Sequence, residues 1–156
     1  MKKVFALLAV SALLLTGCGE KELSASSDNL PTVTTNQGEA PTIGAPTGNP
    51  PTTLVTKDII VGTGAEALPT STMTVHYTLM TWSNGQLIES SWNGGSPATF
   101  PLANVIVGWQ QGIPGMKVGG RRLLVIPPDL GYGAQGGGPI GPNETLIFVV
   151  DAIGVA

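Results

Sequence analysis

Thr72-Met73-Thr74-Val75-His76-Tyr77-Thr78-Leu79 alternates polar and apolar side chains without a break. A period of two is that of a β-strand with one face buried. Met73, Val75, Tyr77 and Leu79 share that face. Ser83-Asn84-Gly85 supplies hairpin-turn chemistry, and residues 86–91 return as a second strand. Further out, residues 121–126 read as a strand stopped by Pro127-Pro128. Residues 145–153 form another, with Leu146, Phe148 and Val150 on one face. Residues 54–61 add one more. Residues 105–113 are expected as a short helix ended by Pro114-Gly115, and residues 92–97 and 131–142 as loops. Several strands, long loops and one short helix specify an α+β domain, a twisted antiparallel sheet wrapped on the helix.

Composition agrees. The chain has 156 residues, with 22 Gly, 13 Pro and only 11% charged residues. Glycine and proline interrupt helices and furnish turns, so a helical bundle is excluded.

The N-terminus reads as an address. Met1-Lys2-Lys3, an apolar run from Val4 to Leu15, and then Thr16-Gly17-Cys18 resemble a bacterial lipoprotein signal. The run is shorter than the roughly 20 residues that span a bilayer. On this reading residues 1–17 are removed and Cys18, the one cysteine of the chain, carries lipid. The alternative is an ordinary secretory signal that leaves a reactive thiol in an oxidising compartment. Gly19 follows the cysteine where no aspartate stands. That implies a lipid-anchored protein of the cell envelope, on the outer membrane facing the periplasm if the cell is Gram-negative. Loss of Lys2 and Lys3 leaves five basic against ten acidic residues, a charge of −5. With no basic run beyond Arg121-Arg122, nucleic acid is excluded as a partner.

Residues 18–53 then hold the lipidated cysteine and a segment rich in Ser, Thr, Pro, Gly and Asn. It has no aromatic residue, and its large aliphatics are Leu23, Leu30, Val33 and Ile43. Such a composition cannot offset chain entropy, so it is expected as a disordered linker. About 35 flexible residues would span roughly 30–35 Å. Residues 54–156 are the expected folded domain.

Several kinds of site are absent. Gly131-Tyr132-Gly133-Ala134-Gln135-Gly136 matches a dinucleotide fingerprint. However, Pro127-Pro128 breaks the strand before it and Gly137-Gly138-Pro139 forbids a helix after it. His76 is the sole histidine, which argues against a histidine-based triad or a usual zinc site. On a strand it is expected to be a hydrogen-bonded structural residue. No metal and no cofactor are called for.

An ordered series of short motifs remains. Val75-His76-Tyr77-Thr78, Asn84-Gly85 and Glu89-Ser90-Ser91 come first, then Pro97-Ala98-Thr99-Phe100-Pro101-Leu102. Val105-Ile106-Val107-Gly108-Trp109-Gln110-Gln111-Gly112, Met116-Lys117-Val118-Gly119-Gly120-Arg121-Arg122 and Ile126-Pro127-Pro128 follow. Gly131-Tyr132-Gly133 and residues 142–148 end the series. It resembles the FKBP-type peptidyl-prolyl cis-trans isomerases over essentially all of residues 54–156. The resemblance implies a half-barrel antiparallel sheet over one short helix, with a shallow aromatic pocket for a proline ring. It implies Trp109 as the pocket floor, and Tyr77, Phe100, Phe148, Val105, Ile106 and Ile140 as walls. Tyr132 would stand at the rim, and the Ile106 N–H would bind a substrate carbonyl.

Ile88-Glu89 departs from the family's Phe-Asp, so the wall at Ile88 and the polar contact at Glu89 are altered. Leu79 stands where the family often has glycine, and the loop after Tyr132 is about one residue short. The implied activity is isomerisation of X–Pro bonds during folding of envelope or secreted proteins, by a monomer acting on proline-containing polypeptides. A non-catalytic proline-peptide binding module or holdase chaperone on the same fold is the alternative.

Overall fold

A computed structural model describes residues 29–156. The signal segment and Cys18 lie outside the described residues. The elements are β1 (Val55–Ile60), β2 (Thr72–Thr81), β3 (Leu87–Ser90), β4 (Ala98–Pro101), α1 (Val107–Gly112), β5 (Arg121–Ile126) and β6 (Leu146–Val155). The strands form one antiparallel sheet in the order β1-β5-β6-β2-β3, with β4 also pairing β2. The sheet does not close, and α1, the one α-helix among the described residues, is short, as expected for this α+β class.

β2 explains why the short strands hold. One edge lies against β6 over its whole length. The other is shared, with β4 opposite residues 72–75 and β3 opposite residues 78–80. Ser91 fills the gap between them: its Oγ accepts a hydrogen bond from the Tyr77 N–H at 2.9 Å and lies 3.0 Å from His76 Nδ1. At the hairpin, the Asn84 carboxamide oxygen accepts from Thr81 Oγ1 at 2.6 Å and from the Gln86 N–H at 3.0 Å. Gly85 there has φ +63°, a conformation that glycine adopts without cost.

α1 packs against one face of the sheet. A Cβ on Gly108 would lie 2.5 Å from Ile126 Cγ2, and one on Gly112 would lie 2.6 Å from Leu124 Cδ2. These two glycines, four apart on one helical face, let the helix backbone rest directly on β5. Arg122 holds the C-terminal end: its Nη1 donates to the Gly112 carbonyl at 2.9 Å while its Nε and Nη2 grip Asp58. The core beneath the helix contains Met73, Val75, Leu79, Leu124, Ile126, Leu146, Phe148 and Val150.

The opposite face is also buried, and here the structure corrects the expected linker. Residues 29–53 do not behave as disordered chain. Leu30, Val33 and Ile43 pack on Met80, Trp82, Leu123, Val125, Ile147 and Val149. The segment folds back on itself at the Val33–Ile43 bridge. It is then clamped from below. Arg121 Nη1 donates to the Thr34 carbonyl at 2.9 Å and Nη2 to the Glu39 carbonyl at 2.6 Å. Trp82 Nε1 donates to the Gly48 carbonyl at 3.2 Å. Few apolar residues suffice because the sheet already presents a formed apolar surface, to which the strap adds three aliphatic anchors; its Pro31 and Pro41 are buried as well.

Three half-buried aliphatics are worth about 3 kcal/mol together, offset in part by the entropy of ordering the strap. A chain cut to residues 54–156 is therefore expected to be about 1–3 kcal/mol less stable than the full chain. Urea denaturation of the two would show this as a lower midpoint.

Arg121 is fully buried. Its Nε donates at 2.7 Å to Oδ1 of Asp151, its cross-strand partner on β6. Burial pushes the Asp151 carboxyl up from its ordinary value, against the opposing pull of Arg121 and His76.

Candidate active site

A cavity of about 280 Å³ opens between α1, β2 and the loop after β5. Trp109, on α1 and only 4% exposed, is held among three rings. Tyr77, Phe100 and Phe148 have their centroids 5.8, 6.0 and 5.3 Å from the indole, at interplanar angles of 85°, 87° and 84°. All three therefore stand edge-to-face on the indole, the arrangement that aromatic quadrupoles favour. The result is an apolar floor with upright aromatic walls.

Each wall comes from a different element. Tyr77 and Leu79 are two apart on β2 and share its inner face. Phe100 comes from β4 and Phe148 from β6, where Phe148 sits opposite Leu79 in the register. Val105 and Ile106 enter just before α1, and Tyr132 stands half exposed at the mouth.

Polar groups break the apolar lining. Tyr77 Oη donates to Glu89 Oε1 at 2.7 Å. Burial first, then the Glu89 carboxylate, holds the Tyr77 hydroxyl well above its ordinary pKa of 10.0, so it keeps its proton. Ile106 supplies another, at the N-cap of α1. Its carbonyl accepts from the Trp109 and Gln110 N–H groups. Its own N–H has no acceptor among the described residues.

Of the residues expected at the site, the structure gathers Tyr77, Glu89, Phe100, Val105, Ile106, Trp109, Tyr132 and Phe148 around this one cavity. It does not bring Ile88 or Ile140 there. Ile88 packs half-buried against the core, and Ile140 is turned under by a tight Gly137–Ile140 bridge into the same core. The shortened glycine-rich loop folds its one large apolar residue inward.

Leu79 and Asn104 line the cavity and were not expected. Leu79 was readable, because it shares the alternating face of Tyr77. Asn104, at the end of the Leu102–Asn104 turn, carries no sequence signal. His76 lies elsewhere, stacked on Trp92 at 3.9 Å. Among the described residues, no group of three His, Cys, Asp or Glu side chains could hold a metal.

Such a site can bind a compact apolar ring and a peptide carbonyl. Comparison with known proteins points the same way. Residues 64–153 match the model of the FKBP-type peptidyl-prolyl cis-trans isomerases. An FK506-binding protein of Streptomyces anulatus is 49% identical over 121 residues, covering 75% of this chain and 98% of that relative. The outer membrane protein MIP of Legionella longbeachae is 43% identical over 106 residues, covering 67% of this chain and 45% of that protein. The crystal structure of FkpA from Escherichia coli superposes with a TM-score of 0.62 at 37% identity, over 65% of this chain and 47% of that one. The aromatic cavity, the antiparallel sheet over one short helix and these likenesses together place the chain in the FKBP-type peptidyl-prolyl cis-trans isomerase family.

Proposed function

We propose that this peptidyl-prolyl isomerase works on extracytoplasmic proteins from a lipid anchor on Cys18, and that the Trp109 cavity is its catalytic site. The observation that carries the site is the Trp109 floor with three perpendicular aromatic walls, beside an Ile106 N–H that has no acceptor among the described residues. Rotation about an X–Pro bond must overcome about 18–20 kcal/mol of amide resonance. As the bond twists, conjugation is lost and the imide becomes less polar. A proline ring seated on Trp109 would surround the twisting bond with Phe100, Phe148, Tyr77 and Val105. That environment favours the twisted imide over the planar one, which is binding selective for the transition state. The Ile106 N–H would fix one substrate carbonyl, so that rotation occurs about a held frame. Tyr132 would close the rim. No proton transfer and no covalent step is required.

The address is tested separately. The full chain, produced in a bacterium with an intact lipoprotein pathway, is expected in the membrane fraction with a lipid thioether on Cys18. Cys18→Ala is expected to release it. An unmodified Cys18 by mass spectrometry would overturn the anchor and leave the isomerase intact.

A further inference from the structure

The β2–β3 wall of the cavity offers acceptors only. The Tyr77 hydroxyl spends its proton on Glu89 Oε1, and Glu89 Oε2 has no hydrogen-bond partner among the described residues. The cross-strand neighbour of Glu89 is the apolar Leu79. Among the described residues, no lysine or arginine lines the cavity. The strand order explains why: β3 is one edge of the sheet, whereas Lys57 lies on β1 at the other edge and Arg122 on β5 beside it. Arg122 is engaged by Asp58 and Arg121 by Asp151, and Lys117 lies 4.0 Å from Glu66. Among the described residues, Glu89 therefore faces the cavity without a cation, beside apolar rings that screen a charge less than open water does.

We infer that Glu89 is a specificity-determining residue that selects X–Pro segments carrying lysine or arginine next to the proline. The inference rests on the reading that the cavity seats proline. Glu89 stands one hydrogen bond beyond Tyr77, whose ring is 5.8 Å from the Trp109 indole. The flexible four-carbon stem of a lysine flanking a seated proline can span such a gap. The ammonium would then meet Oε2, while Oε1 stays with Tyr77.

The test uses the full chain and Ala-Xaa-Pro-Phe peptides with Xaa as Lys, Leu, Gln or Glu. Isomerisation gives kcat/KM, and calorimetry gives Kd for the same peptides. An exposed pair of this kind is expected to favour Lys over Leu by about three- to fivefold and to disfavour Glu. The preference is expected to shrink between about 0.01 M and about 1 M salt. In Glu89→Gln the Lys-to-Leu ratio is expected to fall to about one, whatever the absolute rate, and Glu89→Lys is expected to favour Glu. Isomerisation with a flat ratio in the native chain, or a lysine preference that persists in Glu89→Gln, would overturn the inference and leave the isomerase reading standing. Lysine-selective binding without any isomerisation would do the reverse.

Discussion

Trp109→Ala is expected to lower kcat/KM for X–Pro isomerisation by about 30- to 100-fold, or about 2–3 kcal/mol of transition-state stabilisation. The indole is the surface on which three rings stand edge-on, and its loss removes the floor and lets the walls fall inward. The same substitution empties a nearly fully buried site, which costs about 3–5 kcal/mol of stability. Trp109→Leu separates the two effects. It fills part of the space and retains more of the fold, but it cannot present a flat ring. Its activity is expected to fall nearly as far while its unfolding midpoint falls less. Equal activity in Trp109→Leu and the native chain would show that the indole is core packing and no more. Steady-state kinetics on one peptide, with urea denaturation of each variant, decides this.

Arg121→Ala is expected to cost about 3–5 kcal/mol of stability, because it leaves Asp151 buried without its cation. Asp151 Oδ2 already lacks a partner among the described residues, so Arg121 is the carboxylate's main compensation. The substitution also frees the Thr34 and Glu39 carbonyls that hold the strap. Replacing both partners, Arg121→Met with Asp151→Leu, removes the orphaned charge and is expected to cost less than half as much. If the pair costs as much as the single change, the loss lies in the strap and not in the ion pair.

The pH dependence has a defined sign. Without Arg121, the folded-state pKa of Asp151 rises further above its ordinary 3.8. The folded chain then holds a proton that the unfolded chain has released, so stability drops as pH rises through that window and recovers as pH falls. The deficit of Arg121→Ala is therefore expected to be largest at neutral pH and to narrow toward about pH 4. Urea midpoints across that range measure it.

The inner face of the sheet was legible in the sequence because its signal is local. Met73, Val75, Tyr77 and Leu79 alternate on one strand, and Leu146, Phe148 and Val150 on another. Both sets point toward α1. The ordered motifs contain most of the residues that line the cavity.

The outer face was not read, although its signal was present. Leu123-Leu124-Val125-Ile126 and Leu146-Ile147-Phe148-Val149-Val150 are apolar at every position, which marks strands covered on both faces. One short helix can cover only one of them. The missing cover is the strap, whose sparse Leu30, Val33 and Ile43 were averaged away by the polar residues around them. Composition describes a segment alone, whereas its order depends on the surface waiting for it.

β4 was missed for a related reason. It has four residues, ends in Pro101, and exists because β2 is long enough to hold two short partners. Ile140 lies in the core beside the cavity walls, because a glycine-rich loop fixes the direction of its side chains by turns that the motif order does not encode.

The most direct measurement is exchange NMR on an Ala-Leu-Pro-Phe peptide with a small amount of the full chain. The cis and trans populations are expected to stay unchanged while their exchange becomes fast enough to see. The native chain's resonances that shift are expected to be those of Trp109, Tyr77 and the Ile106 amide. Exchange at the uncatalysed rate of tens to hundreds of seconds, with peptide-induced shifts away from that cavity, would contradict the proline pocket.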